Sequence, residues 1–187
     1  MNLPEQYLEN MKELLGTDFD AYIESFNDSR LYGLRVNTMK ISVEDFLKIS
    51  PFKLTPIPWI ENGFYYSEDD KPAKHPYYFA GLYYIQEPSA MTPANRLSPE
   101  PGDYVLDLCA APGGKTILAA EYTKEAGHVL SRDVSEYKTA LILENLERMH
   151  RTNVKVEVHD ATVYDAEREA SADVVLMDVP CSGLGVM

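Results

Sequence analysis

The sequence predicts an α/β protein in which an open parallel sheet over residues 99–187 follows a small α+β unit over residues 1–98. Three observations predict it. Strand-like and helix-like segments alternate through the second half, as βαβ crossovers require. Its strands also differ as members of one sheet should. Val154, Val156 and Val158 alternate with Lys155, Glu157 and His159, whereas Val174, Val175, Leu176 and Met177 form the unbroken apolar run of a strand covered on both faces. Between the halves, Leu97-Ser98-Pro99-Glu100-Pro101-Gly102 has the Pro and Gly content of a linker.

The elements follow in order. Pro4 suits a first helical turn, Tyr7, Leu8, Met11, Leu14 and Leu15 make an apolar stripe, and Gly16 stops the helix. A second helix begins near Thr17 with Phe19, Tyr22, Ile23 and Phe26 inward, and residues 31–37 read as a strand. Ser42 with Asp45 resembles a capping box, opening a helix over residues 43–49 that Pro51 ends. Residues 59–66 suggest a hairpin around Asn62-Gly63. The aromatic run Tyr77-Tyr78-Phe79 and Tyr83-Tyr84 reads as core, because no basic residue interleaves it as a base-stacking surface would need. In the second half the predicted strands are residues 104–109, 128–133, 154–160 and 172–179, with helices over 115–126 and from Ser135 to about His150. A wet third strand and an apolar fourth fit the spatial order 3-2-1-4. The fourth strand is then left with one unpaired edge, a poor state for an apolar strand, so the chain reads as the front of a larger sheet.

Composition narrows the classes. Hydrophobic residues make up 45% and charged residues 25% of 187 residues, which are ordinary globular values. No apolar run approaches the ~18 residues of a membrane span, and the N-terminus lacks signal-peptide character. Two cysteines, Cys109 and Cys181, and four histidines give neither a disulfide framework nor a zinc spacing. The expectations are a reducing cytoplasm, no membrane and no metal. Seventeen basic against 30 acidic residues leave a net charge of −13. Such a balance opposes nucleic-acid binding through bulk electrostatics, though not an enzyme whose basic groups are local to one cleft.

In an open parallel sheet, ligands bind beyond the carboxyl ends of the strands. Four suggestive segments end there: Asp107-Leu108-Cys109-Ala110-Ala111-Pro112-Gly113-Gly114-Lys115-Thr116, then Asp133, then Asp160, then Asp178-Val179-Pro180-Cys181-Ser182-Gly183. Small residues let backbone approach a ligand, and the following helix N-terminus offers free N–H groups. Each acidic residue alone could be a cap or turn residue; all at consecutive strand ends are harder to ascribe to turns. A phosphate loop would need Gly where Cys109 stands, and the first loop lacks Gly-x-Gly-x-x-Gly. Carboxylates without a phosphate clamp suit an adenosine whose substituent is not phosphate, such as S-adenosylmethionine.

Cys181 follows Asp178-Val179-Pro180 at the mouth of the predicted cleft. A zinc deaminase would need a second Cys where Leu184 stands. A thiol at this place points to carbon methylation: a thiolate adding at C6 of a pyrimidine makes C5 nucleophilic, and loss of the C5 proton then releases the thiol. Cys109, inside the binding loop, reads as packing.

The long loop and the Asp178–Gly185 segment together resemble the Sun-type (Fmu-type) RNA cytosine-C5 methyltransferases, and Leu34-Arg35-Val36-Asn37-Thr38 and Tyr84-Ile85-Gln86-Glu87-Pro88-Ser89-Ala90-Met91 also fit. The resemblance covers about residues 30–187 and is nearest to the F-type bacterial ribosomal RNA small-subunit enzymes. It implies a Rossmann-like S-adenosylmethionine-dependent sheet of which these are the first four strands. It implies that Cys109, Ala110, Ala111, Pro112, Gly113, Gly114 and Lys115 wrap the methionine part, that Asp133 holds the ribose and that Asp160 meets the adenine. Asp178 would lie between cofactor and base, and Cys181 would assist product release. The attacking cysteine of such enzymes belongs to a later Thr-Cys motif, which these 187 residues do not contain. The expectation is therefore a cofactor-binding part of an enzyme acting on RNA, inactive alone, with ribosomal RNA implied as substrate by the F-type likeness. A short methyltransferase using Cys181 itself, and a non-catalytic interaction module, are the alternatives.

Overall fold

The computed structural model describes residues 3–180. The stretch ending at Arg30 is a unit of its own. It holds α1 (Glu5–Leu15) and α2 (Phe19–Ser25), joined by a 3-10 turn. Gly16 closes α1 with φ 54° and an N–H bond to Lys12 O, where a residue without Cβ is at no disadvantage. The Tyr7 and Tyr22 hydroxyls are hydrogen-bonded to each other, and Tyr22 meets Phe26 edge-on. Leu14, expected in the inward stripe, is exposed.

From Leu31 onward the chain forms a second compact unit containing two sheets. The first is antiparallel, in the order β2-β3-β1-β4, from β1 (Tyr32–Val36), β2 (Thr55–Pro56), β3 (Gly63–Tyr66) and β4 (Tyr83–Ile85). Between β1 and β2 lies α3 (Val43–Ile49), capped by Ser42, whose hydroxyl oxygen accepts from the Asp45 amide. The short α4 (Pro76–Phe79) precedes β4, and α5 (Thr92–Leu97) follows it.

Two expectations change here. Asn62-Gly63 is not a hairpin tip: Gly63 opens β3, opposite Arg35, and β3 pairs back with residues 55–56 across a wider loop. The physical reason is that the Asn62 side chain is spent on Val36 O and Glu121. The strand at residues 83–85 was hidden inside the aromatic run. Tyr83 is fully buried beside Phe46, Phe64, Leu34 and Val36, so much of that run is core, while Phe79 and Trp59 remain exposed.

The second sheet is parallel: β5 (Tyr104–Asp107), β6 (His128–Asp133), β7 (Val154–Val158) and β8 (Val174–Leu176), in the order β7-β6-β5-β8. This is the 3-2-1-4 order the strand patterning implies. The crossovers are α6 (Gly114–Thr123) and α7 (Glu136–Met149), the latter capped by the Ser135 hydroxyl and ended by His150 in the left-handed conformation. The fourth strand is shorter and wetter than its apolar run suggests: Val175 is 47% and Met177 66% exposed. Among the described residues β8 pairs only with β5, so one side lacks cover.

Ile57, Ile60, Met91 and Ala94 pack with Leu118 and Leu176, so the core crosses from the antiparallel part into the parallel one. A buried polar network crosses with it. Arg35 on β1 and Arg151 after α7 both reach Glu121 on α6, at 3.2 and 2.7 Å. Arg151 also donates to Asn37, whose amide in turn donates to Gly81 O and Met149 O. Charges this deep persist because each has a partner. No helix among the described residues is long and apolar enough to cross a membrane.

Candidate functional site

The carboxyl ends of the four parallel strands share one side of the sheet, and in register Asp107 stands beside Ser131 on one side and Leu176 on the other. Beyond those ends lies a hollow of about 500 Å³ lined by Cys109, Ala111, Asp133, Lys138, Asp160, Thr162 and Asp178, among others, a size in the range of small-molecule sites. The predicted residues Cys109, Ala111, Asp133, Asp160 and Asp178 thus come together. Ala110, Ala111, Pro112, Gly114 and Lys115 line a second hollow of about 220 Å³ together with Tyr84 and Gln86. Ala111 borders both.

Gly113 borders neither, and makes the turn. Its φ of 102° is a left-handed value that side chains disfavour, and an added Cβ would also sit 3.3 Å from Ile142. The Gly113 amide bonds to Ala110 O and the Ala110 amide to Arg132 O, so the bend is tied to β6. α6 starts at Gly114, directly after the bend, and the first amides of an α-helix have no partner within the helix.

Asp133 is almost completely buried. Its Oδ2 accepts from the Ala111 amide at 2.9 Å, and its Oδ1 from the Val134 amide at 2.8 Å and Lys138 Nζ at 3.1 Å. Burial alone would raise its pKa, but the two amides and the lysine outweigh it and hold the carboxyl below the ordinary range. Asp160 is exposed at the end of β7, and the Thr162 amide and hydroxyl lower its pKa. Asp178 Oδ2 pairs with Lys115 Nζ at 2.5 Å, joining the segment after β8 to the first turn of α6.

Cys109 is partly buried, and burial, with Asp133 and Asp107 nearby, pushes its thiol pKa up. That surrounding favours the neutral thiol. Cys181 lies outside the described residues. No group of metal-ligating side chains is found among the described residues.

Asp107 and Thr116 open and close the small-residue segment singled out in the sequence, but their pairing with each other is not written there. Asp107 is fully buried at the end of β5; its Oδ2 accepts from the Thr116 hydroxyl at 2.7 Å, and burial raises its pKa to about 6. Thr116 also contacts Ser131, so the hydroxyl that a phosphate loop would turn toward a metal is spent inward. Lys138 lies inside a helix that announces only its cap, and its reach to Asp133 is a matter of rotamer rather than pattern.

The family described as the N-terminal domain of 16S rRNA methyltransferase RsmF matches residues 3–88, and the family described as 16S rRNA methyltransferase RsmB/F matches residues 94–187. A curated relative, the ribosomal RNA small subunit methyltransferase F of Enterobacter sp. (strain 638), is 37% identical over 195 residues, covering 98% of this chain and 41% of the relative. The chain therefore spans about two fifths of the length of the curated relatives it matches. Among solved structures, PH0851 superposes with a TM-score of 0.86 at 28% identity, covering 98% of this chain and 42% of that one. A methyltransferase homolog protein from Pyrococcus horikoshii superposes with a TM-score of 0.77 at 32% identity, covering 97% and 65%.

Proposed function

Because this chain belongs to the 16S rRNA methyltransferase RsmB/F family, we propose that it carries the S-adenosylmethionine-binding part of an RNA methyltransferase acting at C5 of cytosine, with ribosomal RNA as substrate. The observation that supports this most is the hollow of about 500 Å³ in which Asp133, Asp160 and Asp178 meet Cys109 and Ala111 of the loop after β5.

The donor set fits such a cofactor. Asp133 and Asp160 offer carboxylate oxygens to hydroxyl and amino hydrogens, and Asp178 lends negative charge near a cationic group. The inward-turned Thr116 hydroxyl argues against a phosphate-bearing ligand. When bound, S-adenosylmethionine supplies an electrophilic methyl group on a sulfonium sulfur. In this reading Asp133 holds the ribose, Asp160 the adenine edge, and the segment Cys109–Lys115 the methionine part. Asp178, steadied by Lys115, orients the cytosine, while Cys181 assists release of the product. Attack at C6 falls to the cysteine of a Thr-Cys motif, and these 187 residues contain no Thr-Cys pair. On this reading the chain binds cofactor without turning over. We also propose residue 98 as the boundary, with residues 99–187 as the cofactor-binding part and the antiparallel part before it.

Calorimetric titration with S-adenosylhomocysteine tests the reading. The wild-type chain should bind, and Asp133→Ala should lose about tenfold or more in affinity, the scale of a lost hydrogen bond to a charged group. Equal binding by both proteins would remove Asp133 from the site; no binding by the wild-type chain would overturn the cofactor assignment.

A further inference from the structure

Gly114, the first residue of α6, has no Cβ for a reason internal to the protein. A Cβ built there would lie 3.0 Å from Tyr84 Cε1 and 3.1 Å from Gln86 Nε2. The backbone at the head of the cofactor bend therefore rests on two side chains of the antiparallel part. Gln86 is nearly buried and engaged at both ends of its amide: Oε1 accepts from Arg35 Nη1 at 2.5 Å, and Nε2 donates to Ala90 O at 3.0 Å. Arg35 is itself fully buried and anchored on Glu121, and its guanidinium lies 5.8 Å from the centroid of the Tyr84 ring. Arg35 thus meets both side chains that seat Gly114, bonding Gln86 directly, while Arg148 also lies over the Tyr84 ring at 5.5 Å from its centroid.

We propose that Gln86 is a positioning residue for the cofactor bend: clamped by Arg35, it seats Gly114 and so fixes the backbone amides at the start of α6 where the cofactor is read. The proposal rests on the cofactor reading above and adds to it residues that touch no part of the hollow between Asp133 and Asp178. A bend seated this way is preorganised, and the cofactor does not have to order it on binding.

Two measurements on the full 187-residue chain test it: amide resonances and hydrogen exchange of Gly113, Gly114 and Lys115 without ligand, and calorimetric affinity for S-adenosylhomocysteine. Gln86→Ala should shift the Gly114 resonance, speed its exchange relative to the rest of α6, and weaken binding by about tenfold, the lower end of the loss that follows when the partners orienting a metal ligand are removed. Gln86→Glu keeps the acceptor for Arg35 and should recover most of that loss. A role confined to stability would raise exchange across the whole of α6 alike and leave affinity of the folded protein unchanged, and that result would overturn the proposal. Should Gln86→Ala fail to fold, Arg35→Lys, which shortens the clamp, should show the same local shift, and an unmoved Gly114 resonance in that variant would overturn it equally. A wild-type chain that binds no S-adenosylhomocysteine would defeat the cofactor reading, while the ligand-free resonances would still decide whether Gln86 seats the bend.

Discussion

The Ala111 amide donates to Asp133 Oδ2 at 2.9 Å, joining the bend after β5 to the end of β6 across 22 residues of sequence. The small-residue loop and the acidic strand end are therefore one assembly. The carboxylate that would grip a ribose also holds the loop that would carry the methionine part, so each supports the geometry of the other. Lys138, from the following helix, completes the arrangement at Oδ1.

Asp133 should make acid the enemy of this assembly. Its pKa lies below the ordinary carboxylate value because the Ala111 and Val134 amides and Lys138 overcome the burial that opposes them. A depressed folded pKa contributes stability above the unfolded value near 3.8, lost as pH falls through the folded one. Urea denaturation at several pH values should show wild type more stable than Asp133→Asn at neutral pH. The gap should close below about pH 4; a gap independent of pH would contradict the assignment.

Asp107 should behave in the opposite sense. Burial raises its pKa to about 6 from an ordinary 3.8, so its contribution is full below the unfolded value and is lost as pH rises through the folded one. Asp107→Asn keeps an acceptor for Thr116 and carries no charge. Its stability relative to wild type should increase by roughly 2–3 kcal/mol between pH 4 and pH 7, at about 1.4 kcal/mol for each tenfold change in the proton-binding equilibrium. Paired urea melts at those two pH values read it directly, and a flat difference would show that Asp107 is ionised in the fold without penalty.

Glu121 should be costly to neutralise. Glu121→Gln leaves the Arg35 and Arg151 guanidinium groups, both deeply buried, without an anion, and removing one partner of such an arrangement costs about 3–5 kcal/mol. Replacing Arg35, Glu121 and Arg151 together with Met, Leu and Met should cost far less. Chemical denaturation of both proteins decides between a charge effect and a packing effect: equal losses would favour packing.

Covalent chemistry gives a separate check on the proposed division of labour. Incubated with S-adenosylmethionine and an RNA containing 5-fluorocytosine, the chain should form no adduct that survives denaturing electrophoresis, since no Thr-Cys pair is present. An adduct that disappears in Cys181→Ser would instead make Cys181 the nucleophile.

The parallel sheet was legible because its physics is written locally. Alternation in residues 154–158 marks the outer strand β7, and an acidic residue stands at or just beyond each strand end that matters, whereas the apolar run at residues 174–177 overstates how far β8 is covered among the described residues. The antiparallel sheet was less so. Its β4 is three residues long within a run of tyrosines that has no alternation to read, and Asn62-Gly63 looks like a tight turn until the Asn62 amide is seen to serve Val36 and Glu121. Gly114 is the instructive case. A glycine beside Gly113 suggests an approaching ligand, but its neighbours are Tyr84 and Gln86, a contact that composition and spacing do not reveal. Arg35 and Arg151 were equally hidden, because arginine reads as surface until the distant Glu121 that shelters it is known.

Ile57 and Met91 share oily surface with Leu118 and Leu176, and the guanidinium of Arg35 reaches across to the same helix. Descent must therefore treat the antiparallel and parallel parts as one inheritance. Neither part can be swapped for a foreign counterpart without stranding a charge and baring a greasy face on the one left behind.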